Sequence, residues 1–173
     1  SKHHRYHRNR SHFHYCFTLY AWRFAAYNRL DMPILAPNSL EIISRSPEQT
    51  KRIGMRLGGL LQSGDIVCLM GDLGAGKTTL VQGIASGWGS LDLATSPSFV
   101  LVNVYRHLEG KRLFHLDAYR LSGALEAEDL DLDAMIESGS LVIEWAERIR
   151  EALPPENLWI TLTLIDDVQR DLL

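Results

Sequence analysis

Residues 66–84 read Ile66-Val67-Cys68-Leu69-Met70-Gly71-Asp72-Leu73-Gly74-Ala75-Gly76-Lys77-Thr78-Thr79-Leu80-Val81-Gln82-Gly83-Ile84, a complete G-x-x-x-x-G-K-[ST] pattern set between two runs of different periodicity. The run 66–70 is short, apolar and suited to a buried parallel strand, whereas Leu80, Val81 and Ile84 recur at helical spacing in a helix expected over 78–88. Strand, glycine loop and helix thus come in the order a phosphate-binding loop requires. Gly71, Gly74 and Gly76 let the backbone turn tightly and aim its N–H groups at phosphate oxygens, and the positive end of the helix dipole favours the anion. Lys77 supplies charge for the β and γ phosphates, and the Thr78 hydroxyl is placed to ligate magnesium. The expectation is a site for a nucleoside triphosphate with Mg2+.

Working outward, the chain has 173 residues, 46% of them hydrophobic and 23% charged, enough for one domain with a real core. No apolar run approaches the ~20 residues of a membrane span. Cys16 and Cys68 have neither metal-ligand nor disulfide-framework spacing, so a cytoplasmic setting is expected and Cys68 reads as a small buried hydrophobe.

Residues 1–31 differ from the rest. They hold six basic residues, one acid and five of the seven histidines, whereas residues 32–173 hold twelve basic and twenty acidic residues, a net charge near −8. Expression or upstream-translation artefact, disordered nucleic-acid tail, histidine metal tract and organelle-targeting peptide are the competing readings, the first being preferred. Met32 is the earliest methionine, and the stretch 13–27 has neither a capped helix nor clean alternation. The division expected is therefore a basic, His-rich arm over 1–31, disordered or non-native, and a single domain over 32–173. Its negative charge argues against direct RNA binding by the domain.

From Met32 onward the elements alternate. A strand is expected at 40–44, then a helix opened by Ser46-Pro47-Glu48-Gln49 and running to about Gln62. A loop carries Thr95-Ser96-Pro97-Ser98. Strands at 99–106 and 112–117 read as a hairpin around the turn 107–111. The acids Glu126, Glu128, Asp129, Asp131, Asp133 and Glu137 alternate with apolar residues and read as a solvated helical face. A buried strand at 141–145, a short helix at 146–153 stopped by Pro154-Pro155, and a strand at 158–165 complete the chain.

Using a triphosphate takes more than the loop: a carboxylate on the magnesium side, and a group that orients water or reports the γ-phosphate. Asp117 and Glu144 each terminate a hydrophobic strand and are the candidates. Either alone is equally readable as a surface acid at a strand end; two beside a phosphate loop favour the site.

The order of Gly71-Asp72-Leu73-Gly74-Ala75-Gly76-Lys77-Thr78-Thr79, Ser96-Pro97-Ser98-Phe99, His115-Leu116-Asp117-Ala118-Tyr119-Arg120-Leu121 and Val142-Ile143-Glu144-Trp145 resembles the TsaE family, the ATPase components of bacterial tRNA threonylcarbamoyladenosine synthesis. The likeness spans about residues 38–170. It implies Thr78 and Glu144 as magnesium ligands, Asp117 as a second catalytic acid also on the metal side, Ser96 to Ser98 as a mobile switch-like loop, and Trp145 as a functional tryptophan beside the nucleotide. Arg170 resembles a family arginine near the last strand, and Thr50 a residue by the adenine. Ser98 stands where threonine is usual, and Ala146 where proline usually follows the tryptophan, which leaves the backbone at Trp145 open.

The expected fold is α/β, a P-loop NTPase three-layer sandwich with a mainly parallel sheet and an antiparallel hairpin. By resemblance, slow partner-dependent ATP hydrolysis, with Lys77, Asp117 and Glu144 as the catalytic set, resets a complex of the threonylcarbamoyl transferase and its inactive paralogue, the TsaD- and TsaB-type proteins. That complex, not this chain, handles tRNA. Two rivals are a small-molecule P-loop kinase, disfavoured because the arginines past Lys77 are nowhere clustered as a lid, and a nucleotide-dependent binding module that does not hydrolyse.

Overall fold

The computed structural model describes residues 14–21, 39–97 and 100–165. Its strands are β1 (His14–Ala21), β2 (Ser39–Ser44), β3 (Ile66–Met70), β4 (Val102–Arg106), β5 (Arg112–Asp117), β6 (Gly139–Glu144) and β7 (Leu158–Ile165). The helices are α1 (Pro47–Gly58), α2 (Lys77–Trp88), α3 (Ala124–Glu128) and α4 (Leu132–Ser138), with 3-10 segments at Ala118–Arg120 and Ala146–Ala152. Among the described residues the strands form one sheet in the order β2-β1-β7-β3-β6-β5-β4. β7, β3, β6 and β5 run parallel, and β4 closes that edge as the antiparallel hairpin expected from the sequence. This is a mixed α/β architecture whose five strands from β7 to β4 are mostly parallel.

Strand alternation divides the core in two. Val67 and Leu69 pack with Leu80, Val81 and Ile84 of α2, while Ile66 and Cys68 face the other way, onto Leu116, Ile143 and Ile149. Apolar residues on both faces are what a central parallel strand requires. Burial pushes the Cys68 thiol up to about 12, so it behaves as the inert packing residue expected.

α1 opens as its sequence predicts. The Ser46 hydroxyl accepts from Gln49 N–H, Pro47 takes the first helical position, and the Gln49 side chain reaches back to accept from Arg45 N–H at 2.9 Å. It ends at Gly58, four residues before the expected limit, where two successive glycines remove helix propensity. Glycine has a second use here, because α1 and α2 touch backbone to backbone. A methyl on Gly54 would meet Leu80 O and Ile84 N, one on Gly58 would meet Ile84 O, one on Gly83 Lys51 O and one on Gly87 Met55 O.

The largest difference from the sequence reading lies at the N-terminus. His14–Ala21, assigned to an arm outside the domain, pairs antiparallel with both β2 and β7. Its Tyr, Cys, Phe, Thr and Leu residues carry β-propensity even without clean polar alternation. The remainder of the arm lies outside the described residues. The acidic stretch also differs: it forms two short helices, broken at Asp131, whose backbone is left-handed (φ 50°) and whose side chain accepts from Ala134 N–H to start α4. All six acids remain exposed, as a solvated face requires. Among the described residues no helix is long and apolar enough to cross a membrane.

Candidate functional site

The loop between β3 and α2 owes its shape to its glycines. Gly74 (φ 83°) and Gly76 (φ 96°) are left-handed, and Gly71 (φ 138°) lies so close to the Leu162 carbonyl that a Cβ would run into it. Ala75, buried, pins the middle of the loop. No side chain caps α2, which leaves its first N–H groups facing the cavity of the loop. Leu73, at the tip, is 87% exposed.

Lys77 is only 5% exposed, and its ammonium donates to the Gly71 carbonyl and to the Asp72 carbonyl at 2.9 Å. Its Nζ also lies 3.8 Å from the centre of the Trp145 ring. Desolvation lowers its pKa, against the opposing pull of Glu144, Glu147, Asp117 and Asp72. One turn of sheet away, Asp117 and Glu144 are register partners at the ends of β5 and β6. They therefore stand side by side beyond the carboxyl ends of parallel strands, where open α/β sheets bind ligands.

The Thr78 hydroxyl donates to both oxygens of Glu144, at 3.0 Å each. Behind it, Glu144 Oε1 is 2.9 Å from Nε2 of His115, a fully buried side chain, and His115 Nδ1 is 2.9 Å from the Tyr105 hydroxyl. The Tyr105 hydroxyl in turn donates to the Thr95 carbonyl at 3.1 Å. Asp117 Oδ1 accepts from Tyr119 N–H at 3.0 Å, which fixes the carboxylate at the strand end. Trp145 is half-buried against Tyr119, with ring centroids 5.0 Å apart, and its backbone is left-handed (φ 59°, ψ 37°). That conformation costs a non-glycine residue about 1–3 kcal/mol and is held here by buried Ala146 and by the ring contacts.

Leu73, Gly74, Gly76, Lys77, Thr78, Thr79, Ser96, Asp117, Glu144 and Trp145 line one cleft of about 270 Å³, together with Tyr119. Every one of these except Tyr119 is a site residue expected from the sequence. Gly71, Asp72 and Ala75 back the loop rather than line the cleft. Thr50 is buried elsewhere, its hydroxyl 2.9 Å from that of Ser44, and does not reach the cleft. Ser98 and Arg170 lie outside the described residues. Sequence reasoning gave no role to His115 and Tyr105; a histidine inside an otherwise apolar strand was the available signal for the first.

Chemically, uncapped helix N–H groups beside a buried ammonium suit a polyanion, and a hydroxyl paired with a carboxylate suits a hard divalent cation. Among the described residues no group of three or more His, Cys, Asp or Glu is gathered to hold a metal by side chains alone. A cation here would take Thr78 and Glu144 and complete its oxygen shell from ligand or water, the habit of magnesium rather than of calcium or zinc.

Residues 44–172 match the family model described as threonylcarbamoyl adenosine biosynthesis protein TsaE. Three relatives carry the name tRNA threonylcarbamoyladenosine biosynthesis protein TsaE. That of Streptomyces coelicolor is 48% identical over 62% of this chain and 74% of its own length. The Bacillus subtilis protein is 39% identical over 73% and 79%, and that of Treponema pallidum 38% identical over 77% and 98%. The crystal structure of Bacillus subtilis YdiB superposes with a TM-score of 0.57 at 30% identity, covering 73% of this chain and 84% of that one.

Proposed function

We propose, from the premise that this chain belongs to the TsaE family, that it is a magnesium-dependent ATPase of the P-loop type, a three-layer sandwich working within tRNA threonylcarbamoyladenosine synthesis. The observation that carries this reading is the convergence of Lys77, the Thr78–Glu144 pair and Asp117 on one cleft at the head of α2.

In this reading the loop N–H groups and Lys77 bind the phosphate chain, and the carbonyls of Gly71 and Asp72 keep Lys77 extended across the loop. Thr78 and Glu144 hold magnesium, which when bound neutralises charge on the phosphate oxygens. Glu144 has little freedom, being 3% exposed and hydrogen-bonded on both sides. Asp117, fixed by Tyr119 N–H, orients the attacking water. Trp145 covers the Lys77 charge from the other side and excludes solvent from it. Ser96 brings the 95–97 segment to the same cleft, so its position depends on what the cleft contains.

Slow hydrolysis then resets a cytoplasmic complex of the threonylcarbamoyl transferase and its inactive paralogue, of the TsaD and TsaB types, and tRNA meets the chain only through that complex. Three measurements test the reading: calorimetric titration with MgATP, phosphate release with and without the two partners, and recovery of those partners from lysate with and without ATP. Absence of nucleotide binding overturns the site. Binding without partner-stimulated phosphate release overturns the ATPase in favour of a nucleotide-dependent binding module.

A further inference from the structure

The cleft is joined to the 95–97 segment twice, once openly through Ser96 and once through the protein interior. The inner connection runs from Thr78 to Glu144, to His115, to Tyr105 and to the Thr95 carbonyl, with successive separations of 3.0, 2.9, 2.9 and 3.1 Å. Its middle members have no slack: His115 is 0% and Tyr105 3% exposed. β4 and β5 carry them on adjacent strands, and β5 is in turn paired to β6, which carries Glu144. A buried polar chain in a close-packed interior transmits displacement, because any member that moves leaves its neighbour without a partner at a cost of about 1–3 kcal/mol.

Tyr105 is the pivot, because its hydroxyl meets both His115 and Thr95. Carboxylate oxygens only accept, so His115 Nε2–H donates to Glu144. The Tyr105 hydroxyl donates to the Thr95 carbonyl and at the same time lies 2.9 Å from His115 Nδ1, so it is the member that joins the interior to the segment. Asn103 Nδ2 donates to the same carbonyl at 3.0 Å. Thr95 is therefore held by the Tyr105 hydroxyl, which also meets His115, and by the Asn103 amide.

We infer that His115 and Tyr105 are positioning residues that couple occupancy of the Thr78–Glu144 pair to the placement of the segment carrying Ser96. This rests on the proposed nucleotide site and deepens it, by naming the internal route through which the loop reads the cleft. Coupling of this kind is reciprocal, so fixing the loop also tightens the site.

The test is backbone amide hydrogen exchange on the full chain, read in a peptide covering Ala94–Pro97, without nucleotide, with MgADP, and with magnesium and a non-hydrolysable ATP analogue. In the parent protein the analogue is expected to slow exchange there at least fivefold relative to MgADP. Tyr105→Phe, which keeps the ring and deletes the hydroxyl, is expected to bind the analogue within threefold of the parent and to lose most of that difference. His115→Asn breaks the chain on its other side, so it supplies the same reading if Tyr105→Phe folds poorly. Asn103→Ala is the control: it removes the other contact to the Thr95 carbonyl and keeps both Tyr105 and His115, so exchange should rise in all three states and the difference should survive. A full analogue-dependent difference in a folded Tyr105→Phe or His115→Asn overturns the coupling while leaving the nucleotide site standing. Loss of the difference in Asn103→Ala as well assigns Tyr105 an ordinary structural role and also overturns it. Failure of the parent to bind the analogue overturns both readings.

Discussion

Thr78 and Glu144, 66 residues apart in the chain, are joined by two hydrogen bonds of 3.0 Å, so the first turn of α2 and the last residue of β6 share one donor and one carboxylate. A hydroxyl and a carboxylate together on the cleft wall offer the hard oxygen donors that a divalent cation takes.

Thr78→Ala and Glu144→Ala are accordingly expected to raise the magnesium concentration for half-maximal phosphate release by tenfold or more. Glu144→Ala also leaves His115 without its partner, at about 1–3 kcal/mol of stability. Magnesium titration and thermal melting on both variants check this; two unchanged titrations would remove the pair from the metal site.

A second expectation follows from the anchor of the loop before Thr95. Asp92 accepts from Arg106 N–H, Nε and Nη2, and those bonds hold its carboxyl down to about 2 from an ordinary 3.8. A depressed carboxyl pKa contributes stability that is present above the unfolded value and lost as pH falls through the folded one. The parent should therefore melt above Asp92→Asn at pH 5 and higher, and the two curves should converge between about pH 4 and pH 2. A gap independent of pH would show that the ion pair is not its source.

The α1–α2 seam gives a third. Gly54 and Gly83 lie where a methyl group meets the backbone of the opposite helix, and backbone cannot move aside as a flexible side chain can. Gly54→Ala and Gly83→Ala should each destabilise by at least the 1–3 kcal/mol typical of overpacking, although alanine is the better helix former. Chemical denaturation of both variants decides it, and a stabilised variant would mean that the helices sit farther apart.

That seam also marks the limit of what the sequence discloses. The strand, loop and helix around Lys77 are legible because each follows from local chemistry: an apolar run, glycines at positive φ, and a helical period. Asp117 and Glu144 are legible as acids closing apolar strands, and their pairing follows once β5 and β6 are parallel neighbours. What escapes is set by tertiary contact. Gly54 and Gly83 read as weak helix residues until the facing helix is known. Tyr105 and His115 read as strand residues until their partners on β6 and the 90s loop are in place. Asp131 breaks the acidic stretch through a left-handed backbone that periodicity does not register.

The N-terminal strand supplies the fourth prediction. A loose arm could be removed with a change inside about 0.5 kcal/mol, the scatter of substitutions away from structural features. His14–Ala21 instead lies between β2 and β7, and its loss would strip ladder partners from both. Deletion of residues 1–21 is expected to lower the melting temperature well beyond that scatter, while leaving nucleotide affinity close to that of the full chain, because the cleft is built on β3, β6 and β5, none of which pairs with β1. An unchanged melting curve would return the segment to the status of an arm.

Trp145 separates binding from coupling. Its ring lies over the Lys77 ammonium and against Tyr119, at the edge of the cleft rather than deep in the core, although its inner edge touches the cluster around Ile143 and Ile149. If the ring only filled space, Trp145→Ala would open a cavity and cost about 3–5 kcal/mol. If it instead holds the cleft in the form that partners recognise, the variant should stay folded and keep nucleotide affinity within about tenfold, a differential of about 1.4 kcal/mol. It should nevertheless lose most partner-stimulated phosphate release. Melting temperature, calorimetric affinity and stimulated rate on the same preparation distinguish the two, since only a cleft role leaves the first two nearly intact while removing the third. A folded variant with full stimulation would show that Lys77 needs no aromatic cover and that partners read the cleft through other residues.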